Sequence, residues 1–470
     1  MRGDASKSKI GFLDIVWYVL VALFLFCAGV TYQWYVNKNP IYPLTLFGAA
    51  LDTSKDQLDE TLQQFGLKKP HYYYETDFDA ADNLHDAEKA ESGLTLITAV
   101  DENQALEAEI VELDGTPVQR WPIDWFELWP DAEHVPEIFQ PKQRPGTHIH
   151  GAVVMDNGDL VFNFEYQGLM RLDVCGDVVW RLPYQTHHSI DLDRETGNLW
   201  VSGRIFHDEP DDRYPNHVPP FAEPTALEVS PEGEILSEIS ILHVLEKNDL
   251  HGLLHMDDFD DIQRGKAKTT GDTLHLNDVE VFPPHLQPGT FEPGDLMMSL
   301  RNIHTVLVID PETEEIVYKQ AGGFVGQHDP DFIDGDRISV FDNAVAIGDE
   351  APRQSRIVIL SAKDLAGEPE VLFEGSEAMP FYTDVMGKHQ WLQNGNLLVT
   401  ESTKGRAFEL DPSGEVVWQH VNLVDDEGWV GLVDEAQRLP ARFDRQFFES
   451  ERSKRCGRDD RLAARDEQKF

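Results

Sequence analysis

The chain has 470 residues, with 85 acidic residues against 39 basic residues and a formal net charge of −46. This charge argues against nucleic acid as a partner, because the surface would repel phosphates instead of releasing their counterions. The length suits one large β domain or two or three smaller ones. Three cysteines form no disulfide framework and leave one disulfide possible.

The first predicted element is an apolar segment near the N-terminus. Ile15 to Tyr35 contains no charged residue, carries aromatic residues near both ends and is long enough to span a bilayer. Three basic residues precede it, so the positive-inside rule places residues 1–14 in the cytoplasm. The run is longer than a typical signal-peptide core. The sequence therefore predicts an uncleaved single-pass anchor over 15–36 in the inner membrane, with the rest on the periplasmic side.

Two segments are predicted to flank the main domain. Residues 37–90 are interpreted as a mostly helical connector, because Leu51, Leu58, Leu62 and Phe65 recur at roughly helical spacing. Residues 446–470 are highly charged and are predicted to form a peripheral or disordered tail.

Internal repetition dominates the chain between these segments. Asp156 to Leu182 and Gln393 to Val421 both read as turn, strand, Gly, strand, Asp-led turn and a strand containing Val-Val-Trp. Each unit supplies about four strands that cannot bury both faces alone, which radial stacking around a channel would solve. The sequence predicts an all-β six-bladed β-propeller over 91–445, with a β-sandwich or barrel as the alternative. Four further units begin at Gly93, Gly197, Gly294 and Gly335.

Histidines stand where the first strand of several units begins. The innermost strand of a propeller blade borders the central channel, so polar groups at these starts are expected to meet there. A single such histidine is ordinarily a turn residue, but a group of buried polar residues must be mutually satisfied or serve chemistry. The histidines in question are His150, His187, His188, His275, His328 and His389.

Convergent imidazoles suit two kinds of chemistry. They bind metals when carboxylates support them, and Asp191, Asp278 and Asp329 are candidates for that role. Alternatively, one neutral imidazole acts as a nucleophile while others exchange protons or donate hydrogen bonds. Arg301 favours the second chemistry, because a guanidinium beside the cluster suits an oxyanion better than a cation.

At this point the chain resembles the bacterial arylsulfotransferase-like family of six-bladed propellers. The motifs that carry the resemblance are His275-Leu-Asn277-Asp278, Arg301 in SLRN and Gln327-His328-Asp329. They occur in the family's order, and the likeness covers roughly residues 91 to 445.

The resemblance implies transfer of a sulfuryl group from a phenolic sulfate ester to a phenol through a sulfated histidine. It implies His328 as the nucleophile, His275 and Asn277 as contacts to the transferred group or leaving oxygen, and Arg301 as the cation that neutralises the sulfuryl oxygens. His188, or its neighbour His187, takes the acid/base position. Asp329 is expected to orient the His328 ring.

The expected partners are an aryl sulfate, a phenolic acceptor and the membrane, with no cofactor and no metal. Two alternatives stay open. One is a non-catalytic extracytoplasmic binding propeller. The other is a metal-dependent propeller hydrolase or lactonase that uses His275, His328 and nearby carboxylates.

Overall fold

A computed structural model describes residues 69–76, 86–136, 139–254, 269–345, 354–377 and 379–456. The predicted anchor over 15–36 and the apolar residues from Leu51 to Phe65 lie outside this range. Contacts divide the chain into Met1–His71 and Tyr72–Phe470, and the propeller belongs to the second unit. In the described part of the chain, no helix is both long and apolar enough to cross a membrane.

Six four-stranded antiparallel units form the blades of a propeller. Ahead of them stands β1 (Tyr73–Glu75). Blades 1 and 2 contain β2 (Thr95–Val100), β3 (Leu106–Val111), β4 (Pro117–Ile123), β5 (Ile149–Val154), β6 (Leu160–Phe164), β7 (Gly168–Leu172) and β8 (Val178–Leu182). Blade 3 and its extension contain β9 (Gln185–Leu192), β10 (Leu199–His207), β11 (His217–Val229), β12 (Ile235–Ser240) and β13 (Thr269–Gly271).

The second half of the ring continues in the same order. Blade 4 contains β14 (Leu276–Val281), β15 (Leu296–Leu300), β16 (Thr305–Asp310) and β17 (Glu315–Ala321). Blades 5 and 6 contain β18 (His328–Asp334), β19 (Arg337–Asp342), β20 (Arg356–Ser361), β21 (Glu370–Glu374), β22 (Lys388–Trp391), β23 (Leu397–Glu401), β24 (Arg406–Leu410) and β25 (Val416–Val421). Two short strands follow, β26 (Trp429–Gly431) and β27 (Val433–Arg438).

Among the residues that the structure describes, the helices are short and connect or flank the blades. They are α1 (Trp125–Leu128), α2 (Ile241–Lys247), α3 (His251–Leu254) and α4 (Arg445–Arg455), with 3-10 turns at Arg301–Ile303 and Ser402–Lys404. The predicted all-β six-bladed propeller is therefore confirmed.

Burial explains why each unit forms this kind of sheet. The first strands β5, β9, β14, β18, β22 and β27 contact one another around the ring and border the central channel. In blade 2 every residue of the second strand β6 is buried, whereas the outermost strand β8 is mostly exposed. Second strands are packed by neighbouring blades on both faces, so they need nearly continuous apolar runs, while outermost strands tolerate polar residues.

The ring closes by joining the two ends of the propeller. Blade 1 takes β2, β3 and β4 from the start of the propeller, and its inner strand is β27 from the end. Residue order along the repeats alone did not predict this closure. Nearby, β1 pairs with β26, so part of the segment predicted as a helical connector is a strand.

The charged C-terminal segment also contributes to closure. Residues 445–455, most of them within the predicted tail, form the helix α4, whose N-cap Asp444 accepts a hydrogen bond from the Phe447 amide. Phe448 on this helix is fully buried. A disulfide then joins Cys456, just after the helix, to Cys175 in blade 2.

We predict that removing this disulfide lowers the stability of the propeller. The bond links cysteines that are 281 residues apart in the chain. Closing so long a loop restricts the unfolded chain, and the chain-entropy model gives an upper value of about 5.6 kcal/mol. Cys175→Ser and Cys456→Ser should each lower the midpoint of thermal unfolding of the full-length protein.

Reductant supplies the check on this prediction. The double serine variant should be insensitive to reductant, whereas wild type and a Cys27→Ser control should both lose stability when reduced. Equal midpoints for wild type and the double variant under oxidising conditions would show that the bond contributes nothing.

Candidate functional site

The inner strands of blades 3, 4 and 5 are distorted where they begin. The backbone φ angles of His188, His275 and Asp329 are 56°, 55° and 48°, in the left-handed region that non-glycine residues rarely occupy. Pairing with the second strand of each blade shifts register nearby. Bulges of this kind bend a strand and re-aim its side chains. Strain at three equivalent places is typical of a functional site.

The starts of the inner strands in blades 2, 3, 4 and 5 bring six imidazoles together at one end of the channel. The ring centre of His188 lies 3.6 Å from that of His150, 5.0 Å from that of His275 and 5.9 Å from that of His328. His275, the most exposed of the six, is only 8% exposed. We call this group the histidine cluster, which consists of His148, His150, His187, His188, His275 and His328.

His328 is held in one tautomer. Its Nδ1 lies 2.7 Å from Oδ1 of Asn343 and 3.1 Å from the Gly326 carbonyl oxygen. The Asn343 amide nitrogen donates to the carbonyl oxygens of Thr383 and Met386, so its oxygen must face the ring. Both neighbours of Nδ1 are therefore acceptors, and Nδ1 carries the proton. Nε2 is left as a bare, buried nitrogen with no hydrogen bond to any described residue.

The environment of His328 also keeps the ring neutral. Burial, followed by the positive charge of Arg301 and the neighbouring His275, lowers the pKa of His328 to about 3 despite the hydrogen bond to Asn343. A neutral imidazole with an unprotonated Nε2 is the form that acts as a nucleophile.

His275 forms a different kind of pair. Its Nδ1 lies 2.7 Å from Oδ2 of Asp272, and its backbone amide donates to the same carboxylate. Burial alone would raise the pKa of Asp272, but His275 holds it below the ordinary value. Nε2 of His275 and Oδ1 of Asn277 are buried without a hydrogen bond among the described residues, while the Asn277 amide donates to the Gln327 carbonyl oxygen.

The two adjacent histidines of blade 3 divide their contacts. Their Nδ1 atoms lie 2.6 Å apart, so one donates to the other. The ring of His188 packs on His150, His275 and His328, whereas the ring of His187 packs on Tyr166, with ring centres 4.6 Å apart. His188 is thus the member of the pair that lines the central cavity. Burial lowers the pKa of His187 to about 3 and that of His188 well below its ordinary value.

His148 differs from the other members of the cluster because it lies between two carboxylates. Its Nδ1 lies 2.8 Å from Asp434 and its Nε2 lies 2.9 Å from Glu165. Burial would lower the pKa of His148, but the two carboxylates together raise it well above the ordinary value. His150, one ring away, makes no hydrogen bond with the described residues. The cluster therefore contains one imidazole that favours the cation beside several that favour the neutral form.

Arg301 lies beside the cluster on the 3-10 turn after β15. Its backbone amide donates to the carbonyl oxygen of His275, and its Nε donates to Asn302. Burial lowers its pKa, and the positive charge acts on His328. Its terminal guanidinium nitrogens have no hydrogen bond or ion pair with described residues, so they are free to bind an anion.

Asp329 belongs to a second polar group further along the channel, together with His389 and Asp331. Its Oδ2 lies 3.0 Å from Nδ1 of His389, so it does not orient the ring of His328. The orientation expected of Asp329 is supplied by Asn343, because the left-handed backbone at Asp329 turns its carboxylate toward blade 6. His389 thereby joins the carboxylates and not the histidine cluster. Burial and mutual repulsion raise the pKa of Asp278 and Asp331 well above the ordinary value.

Within the described part of the chain, two sets of side chains place potential metal ligands close together. One is His148, His150 and Glu165, and the other is Asp329, Asp331 and His389. Neither set contains His275 or His328, the ligands expected for a metal-dependent hydrolase. In the first set His148 is already bonded to two carboxylates, and in the second His389 is bonded to Asp329 and Ser339.

Sequence reasoning placed seven residues in the site, and the structure brings six of them to one end of the channel: His187, His188, His275, Asn277, Arg301 and His328. Sequence reasoning missed supporting residues, most of which lie outside the strands: His148, Glu165, Tyr166, Asp272 and Asn343, together with Arg204 on β10. The His-x-His spacing of 148 and 150 was a usable signal for His148. Asn343 gave none, because it follows β19 and reaches His328 only through strand pairing.

A family model described as Arylsulfotransferase (ASST) matches residues 151–423 of this chain. The chain belongs to the arylsulfotransferase family. The match covers more than half of the sequence and includes every site residue that the sequence predicted. Membership supports an aryl sulfotransferase-like function on the propeller fold.

Comparison with other proteins adds remote similarities. A protein of unknown function from Bacteroides caccae has 16% identity, covers 73% of this chain and 98% of its own, and has a TM-score of 0.39. The Cps50 (Swd1) β-propeller domain of Myceliophteria thermophila has 10% identity, with coverage of 72% and 88% and a TM-score of 0.36. A chain of a nidogen/laminin complex has 10% identity, coverage of 73% and 96% and a TM-score of 0.39. No curated protein sequence matches the arylsulfotransferase-family chain.

We predict that His328 makes the stability of the protein depend on acid pH. In the unfolded chain its pKa is about 6.5, so as pH falls the unfolded state takes up the proton before the folded state does. Stability is fully present above pH ~6.5 and is lost as pH falls toward the folded pKa of about 3. The free energy of unfolding should therefore fall by about 1.4 kcal/mol per pH unit from this group alone.

Denaturant unfolding between pH 4 and 6 measures this slope. His328→Asn should reduce the slope of the free energy of unfolding against pH by about 1.4 kcal/mol per pH unit, which corresponds to the loss of one proton-binding group. The exposed His243→Asn variant should keep the wild-type slope. Parallel curves for His328→Asn and wild type would contradict the neutral, buried state of His328.

Proposed function

We propose that this protein is a membrane-anchored aryl sulfotransferase that moves a sulfuryl group from a phenolic sulfate ester to a phenol through His328. The observation that carries the proposal is the bare, buried Nε2 of His328, held unprotonated by Asn343 and facing a cluster with an unpaired guanidinium. No cofactor and no metal enters the proposed reaction.

In the first half-reaction, the lone pair on Nε2 of His328 attacks the sulfur of the donor. A bond forms between nitrogen and sulfur, and the bond between sulfur and the phenolic oxygen breaks. The leaving phenolate takes a proton from Nε2 of His275, while Nδ1 of the same ring keeps its hydrogen bond to Asp272. We assign the proton to His275 because neither His187 nor His188 has a hydrogen bond to a carboxylate. His188, which the resemblance placed at the acid/base position, then serves as a hydrogen-bond donor.

In the second half-reaction the acceptor phenol occupies the place of the first product. It gives its proton to His275 and attacks the sulfur, the nitrogen–sulfur bond breaks, and His328 returns to its neutral form. Two half-reactions through one covalent intermediate predict ping-pong kinetics.

Charge stabilisation is assigned to polar atoms beside the histidine cluster that have no hydrogen bond to the described residues. Sulfuryl transfer resembles phosphoryl transfer, with in-line displacement and negative charge on the peripheral oxygens. Arg301 neutralises that charge through its terminal nitrogens. Asn277 is positioned beside the path of transfer by its bond to the Gln327 carbonyl, which supports its predicted contact with the transferred group.

The proposed location is the periplasmic side of the inner membrane, with residues 15–36 as the anchor. The disulfide between Cys175 and Cys456 supports a compartment outside the cytoplasm, because disulfides persist in oxidising environments. The excess of acidic residues argues against nucleic acid as a partner.

The central test is transfer from 4-nitrophenyl sulfate to a phenol by the full-length protein. Wild type should release nitrophenol in an acceptor-dependent way, and a trapped His328 peptide should gain the mass of one sulfuryl group. His328→Ala should lose about 10⁴-fold in rate, because it removes the nucleophile. A fully active His328→Ala variant, or a sulfuryl group on another residue, would overturn the mechanism, and the surface variant His243→Ala serves as the control.

A second prediction concerns Asn343 as a positioning residue. Asn343→Leu removes the acceptor that keeps the proton on Nδ1, and kcat/KM should fall by about 10–100-fold. Asn343→Asp supplies a negative acceptor, raises the pKa of His328, and should shift the acidic limb of the pH–rate profile to higher pH.

Asn422 provides a matched control, because its amide also donates to two backbone carbonyl oxygens but lies away from the histidine cluster. Asn422→Asp should leave the acidic limb in place. If Asn343→Asp lowers the rate equally at every pH, the residue has only a structural role.

A further inference from the structure

Arg204 on β10 is an arginine for which the proposed mechanism has no use. The central carbon of its guanidinium lies over the ring of Tyr166, at 3.6 Å from the ring centre. Its Nε donates to Oε1 of Gln185 at 2.9 Å. Among the described residues, its two terminal nitrogens have no hydrogen bond and no ion pair. With Nε bonded to Gln185, the two terminal nitrogens remain available, and an arginine binds a carboxylate in a bidentate manner through such N–H groups.

An unpaired arginine is unusual in this protein. Acidic residues outnumber basic residues by 85 to 39, so carboxylates are plentiful. Several other partly or fully buried arginines among the described residues are paired, for example Arg171 with Asp159, Arg406 with Glu401, and Arg438 with Glu409, whereas Arg301 shares the unpaired state of Arg204. The two carboxylates whose charge reaches Arg204, Glu165 and Asp272, are bonded to His148 and His275 instead.

Tyr166 fixes where this guanidinium stands. The residue has a left-handed backbone, with φ of 55°, and its amide donates to the Thr186 carbonyl oxygen at 2.9 Å. The Tyr166 ring contacts His187 of the histidine cluster, and it also contacts the guanidinium of Arg204. A strained turn that holds an aromatic ring between a catalytic cluster and an unpaired cation is typical of a ligand contact.

Arg204 and Arg301 serve different parts of the site. Both interact electrostatically with Tyr166, Glu165 and Asp272, so they flank the same region. Arg301 acts on His328, whereas Arg204 acts on His187. If Arg301 binds the sulfuryl group of a substrate at His328, Arg204 is still available to bind a second anionic group on that substrate.

We propose that Arg204 and Tyr166 form a second anion subsite, which selects aryl sulfates that carry a carboxylate on the aromatic ring. This inference rests on the proposed function, in which the sulfuryl group lies between His328 and Arg301. Arg204 binds the carboxylate through its terminal N–H groups, and Tyr166 keeps the guanidinium plane oriented. The same contacts select acceptors that are carboxylated phenols.

A matched pair of donors tests the subsite. The full-length protein is assayed with 4-sulfooxybenzoate and with its methyl ester, and the ratio of kcat/KM for the two donors is compared between variants. Charge-assisted hydrogen bonds predict that Arg204→Met lowers this ratio by about 10–100-fold. Comparing ratios cancels the difference in leaving-group reactivity. Arg204→Lys should retain part of the preference, because it keeps the charge but loses the bidentate geometry.

Arg213 supplies the matched control. It also lies over a tyrosine, Tyr214, at 5.1 Å from the ring centre, but it is paired with Asp211. Arg213→Met should leave the ratio unchanged. An equal ratio in wild type and Arg204→Met would overturn the subsite. If Arg204→Met does not fold, a ratio in Arg204→Lys equal to that of wild type overturns it instead.

Calorimetry separates failure of the subsite from failure of the proposed function. The probes are 4-sulfobenzoate and benzenesulfonate, neither of which can transfer a sulfuryl group from oxygen. Wild type should bind 4-sulfobenzoate about 10–100-fold more tightly, and Arg204→Met should abolish that difference. If this pattern holds while no donor is turned over, the subsite stands and the transferase mechanism falls. Equal affinities in wild type overturn the subsite whether or not transfer occurs.

Discussion

The site depends on one geometric constraint, which is that six inner strands must begin around a single axis. Neighbouring inner strands contact one another around the ring, so residues far apart in sequence become neighbours at the mouth of the channel. Three of these starts are bulged and left-handed, at His188, His275 and Asp329. The strain is tolerated because packing between blades holds the strands on both sides, and it aims polar groups inward that a regular strand would turn into the blade interface.

Electrostatics then divides the channel into two halves. The histidine cluster keeps most of its imidazoles neutral by burial, and it confines the strongest tendency toward a cation to His148 between Asp434 and Glu165. Deeper in the channel, Lys388 and His389 stand among carboxylates whose pKa values burial raises. Because Arg204 and Arg301 contribute positive charge at the histidine end, a protein with a net charge of −46 can still attract an anion there.

Much of the fold and part of the site could be predicted from sequence. The repeated turn–strand–Gly–strand order indicated blades because a four-stranded unit must bury its faces against another unit. Histidines at strand starts indicated a shared end of the channel, because the innermost strand of each blade borders that channel. Asp329 shows the limit of the method, since its adjacency to His328 suggested a partner, yet the left-handed backbone points it to His389. Adjacent residues in a distorted strand need not share a direction.

The sequence by itself determined the repeat, the family motifs and the residue types that do the chemistry, since these depend on local pattern and side-chain identity. Tertiary structure alone decided which residues form hydrogen bonds, strand pairs and disulfides with one another. Asn343 reaches His328 across a strand pair, β27 closes blade 1 from the other end of the propeller, and Cys456 meets Cys175 across 281 residues. Hydrogen-bond direction and ion pairing depend on distances of a few ångströms, and those distances exist only after the blades have closed around the axis.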